Sequence, residues 1–112
     1  DGVTLLERLL GDTDPDLVGL ELDVYWAAYA GTDPIGLLEK YSGRIPVVHL
    51  KDMDQERRFT EVGDGTLNIV GICEAAVKQG TEWLVVEHDA PTIPSLESAK
   101  RSLENLRGLG WA

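Results

Sequence analysis

Cysteine is almost absent from this chain: Cys73 is its only one, so no intrachain disulfide can form. Its setting in the apolar helical run Ile72-Cys73-Glu74-Ala75-Ala76 marks a small core hydrophobe rather than a reactive thiol, and a reducing, cytoplasmic setting is expected. Long apolar runs are missing too. None approaches the roughly 20 residues needed to cross a bilayer, and no basic segment followed by an apolar run opens the chain, so no membrane partner is expected. Basic residues are scarce: ten Lys and Arg against twenty Asp and Glu leave a net charge of -10, the wrong sign for tracking a nucleic-acid backbone. The chain starts at Asp1 rather than Met and enters a helical pattern at once, so residues upstream are expected.

What remains is ordinary globular material, 112 residues with 43% hydrophobic and 27% charged content, enough for one domain. Three short apolar runs read as buried strands: residues 18 to 24 (VGLELDV), 46 to 50 (PVVHL) and 83 to 87 (WLVVE). Four helices lie around them. The first covers residues 4 to 10, opened by a Thr4/Glu7 capping box and ended at Gly11. The second takes Asp33 as N-cap and Pro34 at its first position, buries Ile35, Leu38 and Tyr41, and stops at Gly43. A third starts at Asn68, turns Ile69, Ile72, Cys73 and Ala76 to the core, and stops at Gly80; a fourth runs from Ser95 to Gly108.

The order αβαβαβα implies three parallel strands joined by right-handed crossovers. An open nucleotide-binding sheet would carry a Gly-rich turn after its first strand, and residues 25 to 31 (YWAAYAG) do not supply one. A partial (β/α)8 barrel is the expected fold, since a complete one takes about 250 residues.

Chemistry collects where the strands end. Asp23 closes the first strand, His49 lies in the second and Glu87 closes the third, the end at which parallel α/β proteins place their sites. Parity then divides the strands. If these three point inward, so do Glu21, Val47, Trp83 and Val85, while Leu20, Leu22, Val48, Leu50, Leu84 and Val86 form a wholly aliphatic outward layer.

Taken singly, each residue has a plainer role: Asp23 as a turn or helix-capping acid, His49 as a hydrogen-bonded core histidine, Glu87 as a partner for Lys51. Together they make a carboxylate, imidazole and carboxylate set suited to Mn²⁺, Mg²⁺, Co²⁺ or Zn²⁺. Lys51 has inward parity and would hold a substrate oxygen, or else form a solvated ion pair beside Asp52. The glycines of Glu61-Val62-Gly63-Asp64-Gly65 allow close backbone approach or positive φ, though as a phosphate cradle the loop is a weak match. His88 has outward parity and reads as a surface or helix-packing residue. The aromatics around residue 25 would line a sugar pocket or pack, with Tyr29 assigned to packing.

The runs GLELDVYWAAYAG (19 to 31), DPIGLLEKYSGRIPVVHLKDM (33 to 53), FTEVGDG (59 to 65), WLVVEHD (83 to 89) and LESAKRSLENLR (96 to 107) resemble the C-terminal part of the sugar phosphate isomerase/epimerase family, which has the xylose-isomerase-like TIM barrel fold. The His-x-Lys-Asp element followed by Val-Gly-x-Gly carries much of that likeness. The resemblance implies that residues 1 to 112 are the C-terminal portion of the barrel and that Asp23, His49 and Glu87 are three of four ligands to one divalent cation, the first, a Glu, having no counterpart here. It also implies that Glu87 and that missing Glu exchange a proton on opposite sides of a substrate carbon, so this chain alone should be inactive. Trp26 stands where many relatives have a substrate-binding His. Inosose dehydratase-like and hydroxypyruvate isomerase-like chemistry are close variants. A non-catalytic assembly module with a vestigial metal site is the competing reading. A DNA-repair endonuclease on the same barrel is disfavoured by the acidic balance and the lack of extra zinc-binding His residues. A barrel piece also leaves strand edges open, so a homodimer or higher homo-oligomer is expected.

Overall fold

The computed structural model describes residues 2–112. Helix α1 (Leu5–Gly11) opens on the expected capping box: Thr4 Oγ1 accepts from Glu7 N–H while Glu7 accepts from Thr4 N–H at 2.7 Å. Strand β1 (Glu21–Asp23) follows, then α2 (Val24–Tyr29), α3 (Pro34–Lys40), β2 (Val47–Leu50), the two-residue strands β3 (Asp52–Met53) and β4 (Phe59–Thr60), α4 (Ile69–Gln79), β5 (Trp83–Val86) and α5 (Ser95–Gly108).

The three expected strands form one parallel sheet in the order β1-β2-β5, the first trimmed at both ends and the other two by one residue each. Its outward face packs under the helices as parity required on β1 and β2, but Val86 at the end of β5 is 36% exposed. Leu22, Val48 and Leu50 are buried with Val24, Leu38, Ile45, Ile72 and Cys73 in a single core. Burial also pushes the Cys73 thiol up to about 11, so it stays protonated and inert, as its apolar setting implied.

Two features depart from the expected order. Among the described residues there are five helices rather than four, because Asp23 turns the chain directly from β1 into α2: its Oδ1 accepts from Trp26 N–H at 3.1 Å and caps the new helix. Val24 and Tyr25 look like a continuing strand by residue type, yet the cap overrides that preference. The second feature is a small antiparallel sheet of β3 and β4. Asp54 builds its connection, with Oδ1 accepting from Glu56 and Arg58 N–H and Oδ2 from Arg58 Nε at 2.8 Å.

The glycine loop has a clear physical purpose. Asp52 is fully buried, and its carboxylate accepts from the backbone N–H groups of Met53, Gly63, Gly65 and Leu67 at 2.8 to 3.2 Å. A Cβ on Gly65 would lie 2.2 Å from Asp52 Oδ1, and Gly63 sits at φ 91°, so both positions call for glycine. The loop is therefore a cradle for the protein's own carboxylate rather than for a phosphate. Asp52 accordingly is not the solvated partner of Lys51.

Candidate functional site

The parallel register sets the geometry of the strand ends. Asp23 pairs with His49 and His49 with Val85, so these three lie in one layer across the inward face. Leu50 pairs with Val86, and Glu87 N–H donates to Leu50 O at 3.0 Å, which carries Glu87 one step further along, level with Lys51. The candidate ligands thus occupy two successive layers. One ligand-type atom from each of Asp23, His49 and Glu87 nevertheless falls within 4.8 Å of the other two, at the half-buried mouth of the sheet.

Each side chain is held from behind. Asp23 serves twice, since Oδ1 caps α2 while Oδ2 faces His49 Nδ1 at 3.8 Å and Lys51 Nζ at 3.6 Å. Glu21, two residues before Asp23 on the same face, lies 2.7 Å from His49 Nε2. The His49 ring thus has a carboxylate facing each of its nitrogens, Glu21 at Nε2 and Asp23 at Nδ1. The capping role weighed for Asp23 is present and coexists with the cluster, while the His49 side chain is 27% exposed, so His49 is not a core histidine.

Lys51 departs most from its expected setting. Its side chain is only 2% exposed, so the solvated ion pair is excluded. Nζ lies 2.6 Å from Glu87 Oε2 and also hydrogen-bonds Asp89 Oδ2. Ring centroids of Phe59, Trp26 and Tyr25 stand 4.7, 5.5 and 5.8 Å away, giving the ammonium aromatic faces as well as carboxylates. Burial works against its charge, but the hydrogen bonds to Asp89 and Glu87 and the charge of Asp23 outweigh it and hold its pKa above the usual lysine range. The same hydrogen bond holds the Asp89 carboxyl below its ordinary value.

Trp26 lies at the rim, half exposed. Its ring is edge-on to Tyr25 at 4.9 Å, while Tyr29 stacks on Tyr25 at 5.8 Å and carries the Arg57 guanidinium at 4.2 Å. A cleft of about 720 Å³ runs beside β1 from Glu21, Asp23 and Trp26 across to Thr4, Lys40 and Tyr41. Its position follows from the sheet order, because β1 is an edge strand among the described residues. On the opposite side His88 is nine-tenths buried, with Nε2 3.7 Å from Glu61 Oε1, in the helix-packing position its parity implied. Burial pushes the Glu61 carboxyl up, but the hydrogen bond from Ser98 on α5 and the charge of His88 reverse that and hold it below its usual range.

Glu21 and Asp89 are the functional neighbours that residue-by-residue reading left without a role. Period-two parity was signal enough for Glu21. Asp89 lies two residues beyond Glu87, but past the end of β5 parity no longer dictates direction.

Against known proteins, an inosose dehydratase of Geobacillus kaustophilus (strain HTA426) is 36% identical over 101 residues, covering 73% of this chain and 33% of that protein. An inosose dehydratase of Bacillus anthracis (strain CDC 684 / NRRL 3495) is 45% identical over 105 residues, covering 75% and 35%. The crystal structure of a sugar phosphate isomerase/epimerase from Parabacteroides distasonis ATCC 8503 matches with a TM-score of 0.80 and 32% identity, over 96% of this chain and 36% of that one. The chain spans about a third of the length of the curated relatives it matches. Residues 4–109 match the xylose isomerase-like TIM barrel as a family, and the parallel sheet with its helix-covered outer face is what a segment of such a barrel requires. On sequence and architecture alike, the chain belongs to the xylose isomerase-like TIM barrel family.

Proposed function

We propose that this chain is the C-terminal portion of a metal-dependent sugar or sugar-phosphate isomerase/epimerase, with dehydration of an inosose as a close variant. The observation that carries this reading is the approach of Asp23, His49 and Glu87 to within 4.8 Å from three neighbouring strands. Isomerisation, epimerisation and loss of water beside a carbonyl all begin by removing a proton from the adjacent carbon, so one site can serve any of them.

The residues fit a divalent cation. Two carboxylates and an imidazole are the right donors, with one atom from each of Asp23, His49 and Glu87 within 4.8 Å of the others. Asp23, His49 and Glu87 would hold the ion, which when bound supplies Lewis acidity toward substrate oxygens. Within this chain Glu87 would take and return the substrate proton, and Lys51 would stabilise negative charge on a substrate oxygen by sharing its ammonium. Trp26 would offer its half-exposed ring to the apolar face of a sugar. With the second proton-transferring Glu absent, the 112-residue chain by itself should turn over little or no ketose. The lone buried cysteine favours a reducing, cytoplasmic setting.

Titration with Mn²⁺ tests the reading: wild type should bind weakly and His49→Ala not at all. Equal binding by both chains would count against the site. A second reading, a non-catalytic assembly module, is favoured by the inward face, where Trp83 is 66% and Val85 40% exposed. Pairing of open edges or faces between two copies would make a homodimer or higher oligomer. Metal-dependent turnover of a ketose, alone or with a complementing N-terminal portion, separates the two readings.

A further inference from the structure

A cation site at Asp23, His49 and Glu87 meets a difficulty of its own making, because one cation already stands there. The Lys51 ammonium is 2.6 Å from Glu87 Oε2 and 3.6 Å from Asp23 Oδ2, so it faces two of the three candidate ligands. A divalent ion and an ammonium cannot both sit against Glu87 without strong like-charge repulsion. The ammonium, however, has a second place to go. Asp89, whose carboxyl group neighbours that of Glu87, also hydrogen-bonds it, and the Asp89 side chain is half exposed while those of Asp23 and Glu87 are 19% and 29% exposed. Solvent can therefore help Asp89 carry the charge alone. Lysine's flexible stem allows the shift, and the faces of Phe59 and Trp26 attract a cation without imposing a fixed direction.

We propose that Lys51 is a resident counter-cation of this site, which a divalent cation displaces from Glu87 onto Asp89, and that Asp89 is the positioning residue that makes room for the metal. The inference rests on the reading of Asp23, His49 and Glu87 as a cation site. Charge agrees with it: three carboxylates, Asp23, Glu87 and Asp89, against one ammonium leave two negative charges, the number that a divalent cation cancels. Glu21 stands outside this balance, being committed to His49 and more than half exposed.

Calorimetric titration with Mn²⁺, at one pH and ionic strength, tests this on wild type, Lys51→Met, Asp89→Asn and the double variant, each checked for folding by circular dichroism. Lys51→Met should bind roughly tenfold tighter, and Asp89→Asn roughly tenfold weaker because the ammonium is left with Glu87 alone. In the Lys51→Met background, Asp89→Asn should weaken binding by clearly less than in wild type, since only its own nearby charge is then lost. Simple structural damage would weaken binding in every variant and would not diminish in the double. If Lys51→Met fails to fold, Lys51→Gln removes the charge while keeping a donor, and the same tightening is expected. Unchanged or weaker binding by the charge-removed chain, or an Asp89→Asn effect that is undiminished in it, overturns the counter-cation role. If wild type then still binds Mn²⁺ in a His49-dependent way, the cation site itself stands. Binding by Lys51→Met with none by wild type supports the counter-cation role and removes the site from the native chain. Absence of binding in all four chains overturns both.

Discussion

The two faces of the three-stranded sheet are built from the same strands but answer to different forces. Outward residues Leu22, Val48 and Leu50 are at most 5% exposed under the helices, and their neighbours ask only for apolar volume. Inward residues of the same strands include Glu21, Asp23 and His49, whose positions are set by charge and hydrogen bonding, together with exposed Trp83 and Val85. One residue step along a strand therefore separates an apolar group in the core from a charged one at the open mouth. Charge density on the inward face is tolerated because the mouth is half open and because Lys51 lies among the carboxylates.

Substitution can test that division most severely in the core. Leu38 is fully buried beside the outward layer, and Leu38→Ala should cost about 2–5 kcal/mol, whereas Val85→Ala on the inward face should cost within about 0.5 kcal/mol. Urea unfolding of both variants checks the contrast, and equal losses would mean that the inward face also forms core. Asp52 belongs to neither face yet ties the loop between them to the sheet. Asp52→Ala leaves four backbone N–H groups without their acceptor and should cost about 3 kcal/mol, with faster amide exchange at Gly63, Gly65 and Leu67 as the local signature.

A smaller effect is expected from the exposed inward apolar residues, which the proposed self-association would cover. Trp83→Glu should raise the dissociation constant of the self-associated form about tenfold, measured by sedimentation, while leaving the fold intact. A wild-type chain that sediments as a folded, cooperatively melting monomer at micromolar concentration would remove the association altogether. The smallest effect lies across the cleft from β1, at the pair of Glu7 with Lys40 that ties α1 to α3. The hydrogen bond from Lys40, aided by Thr4, lowers the Glu7 carboxyl from 4.5 to about 2. A depressed folded-state value gives stability that is present above 4.5 and lost as pH falls toward 2. Glu7→Gln should flatten that limb of the stability profile, and added salt should shrink the difference because Lys40 is largely exposed.

Element identity was legible wherever a period or a cap was at work. Thr4 with Glu7, Asp33 with Pro34, and Gly80 in the left-handed region mark helix ends through local geometry that neighbours along the chain suffice to dictate. The β3 and β4 strands were not legible, because two residues carry no period and their pairing depends on the turn that Asp54 holds. Helix α2 was hidden for a related reason: Val24 and Tyr25 suit a strand, and only the capping by Asp23 redirects them.

Composition and parity by themselves determined a partial α/β barrel with an aliphatic outer layer, and placed Asp23, His49 and Glu87 at strand ends, since alternation along a strand is a local property of the backbone. Only the tertiary structure decided that Glu87 stands level with Lys51 rather than with His49, that Lys51 is buried between Glu87 and Asp89, and that Asp52 takes the N–H groups of the glycine loop. Those outcomes depend on stagger between strands and on which charges share a desolvated space, and both arise between segments that are distant in the chain.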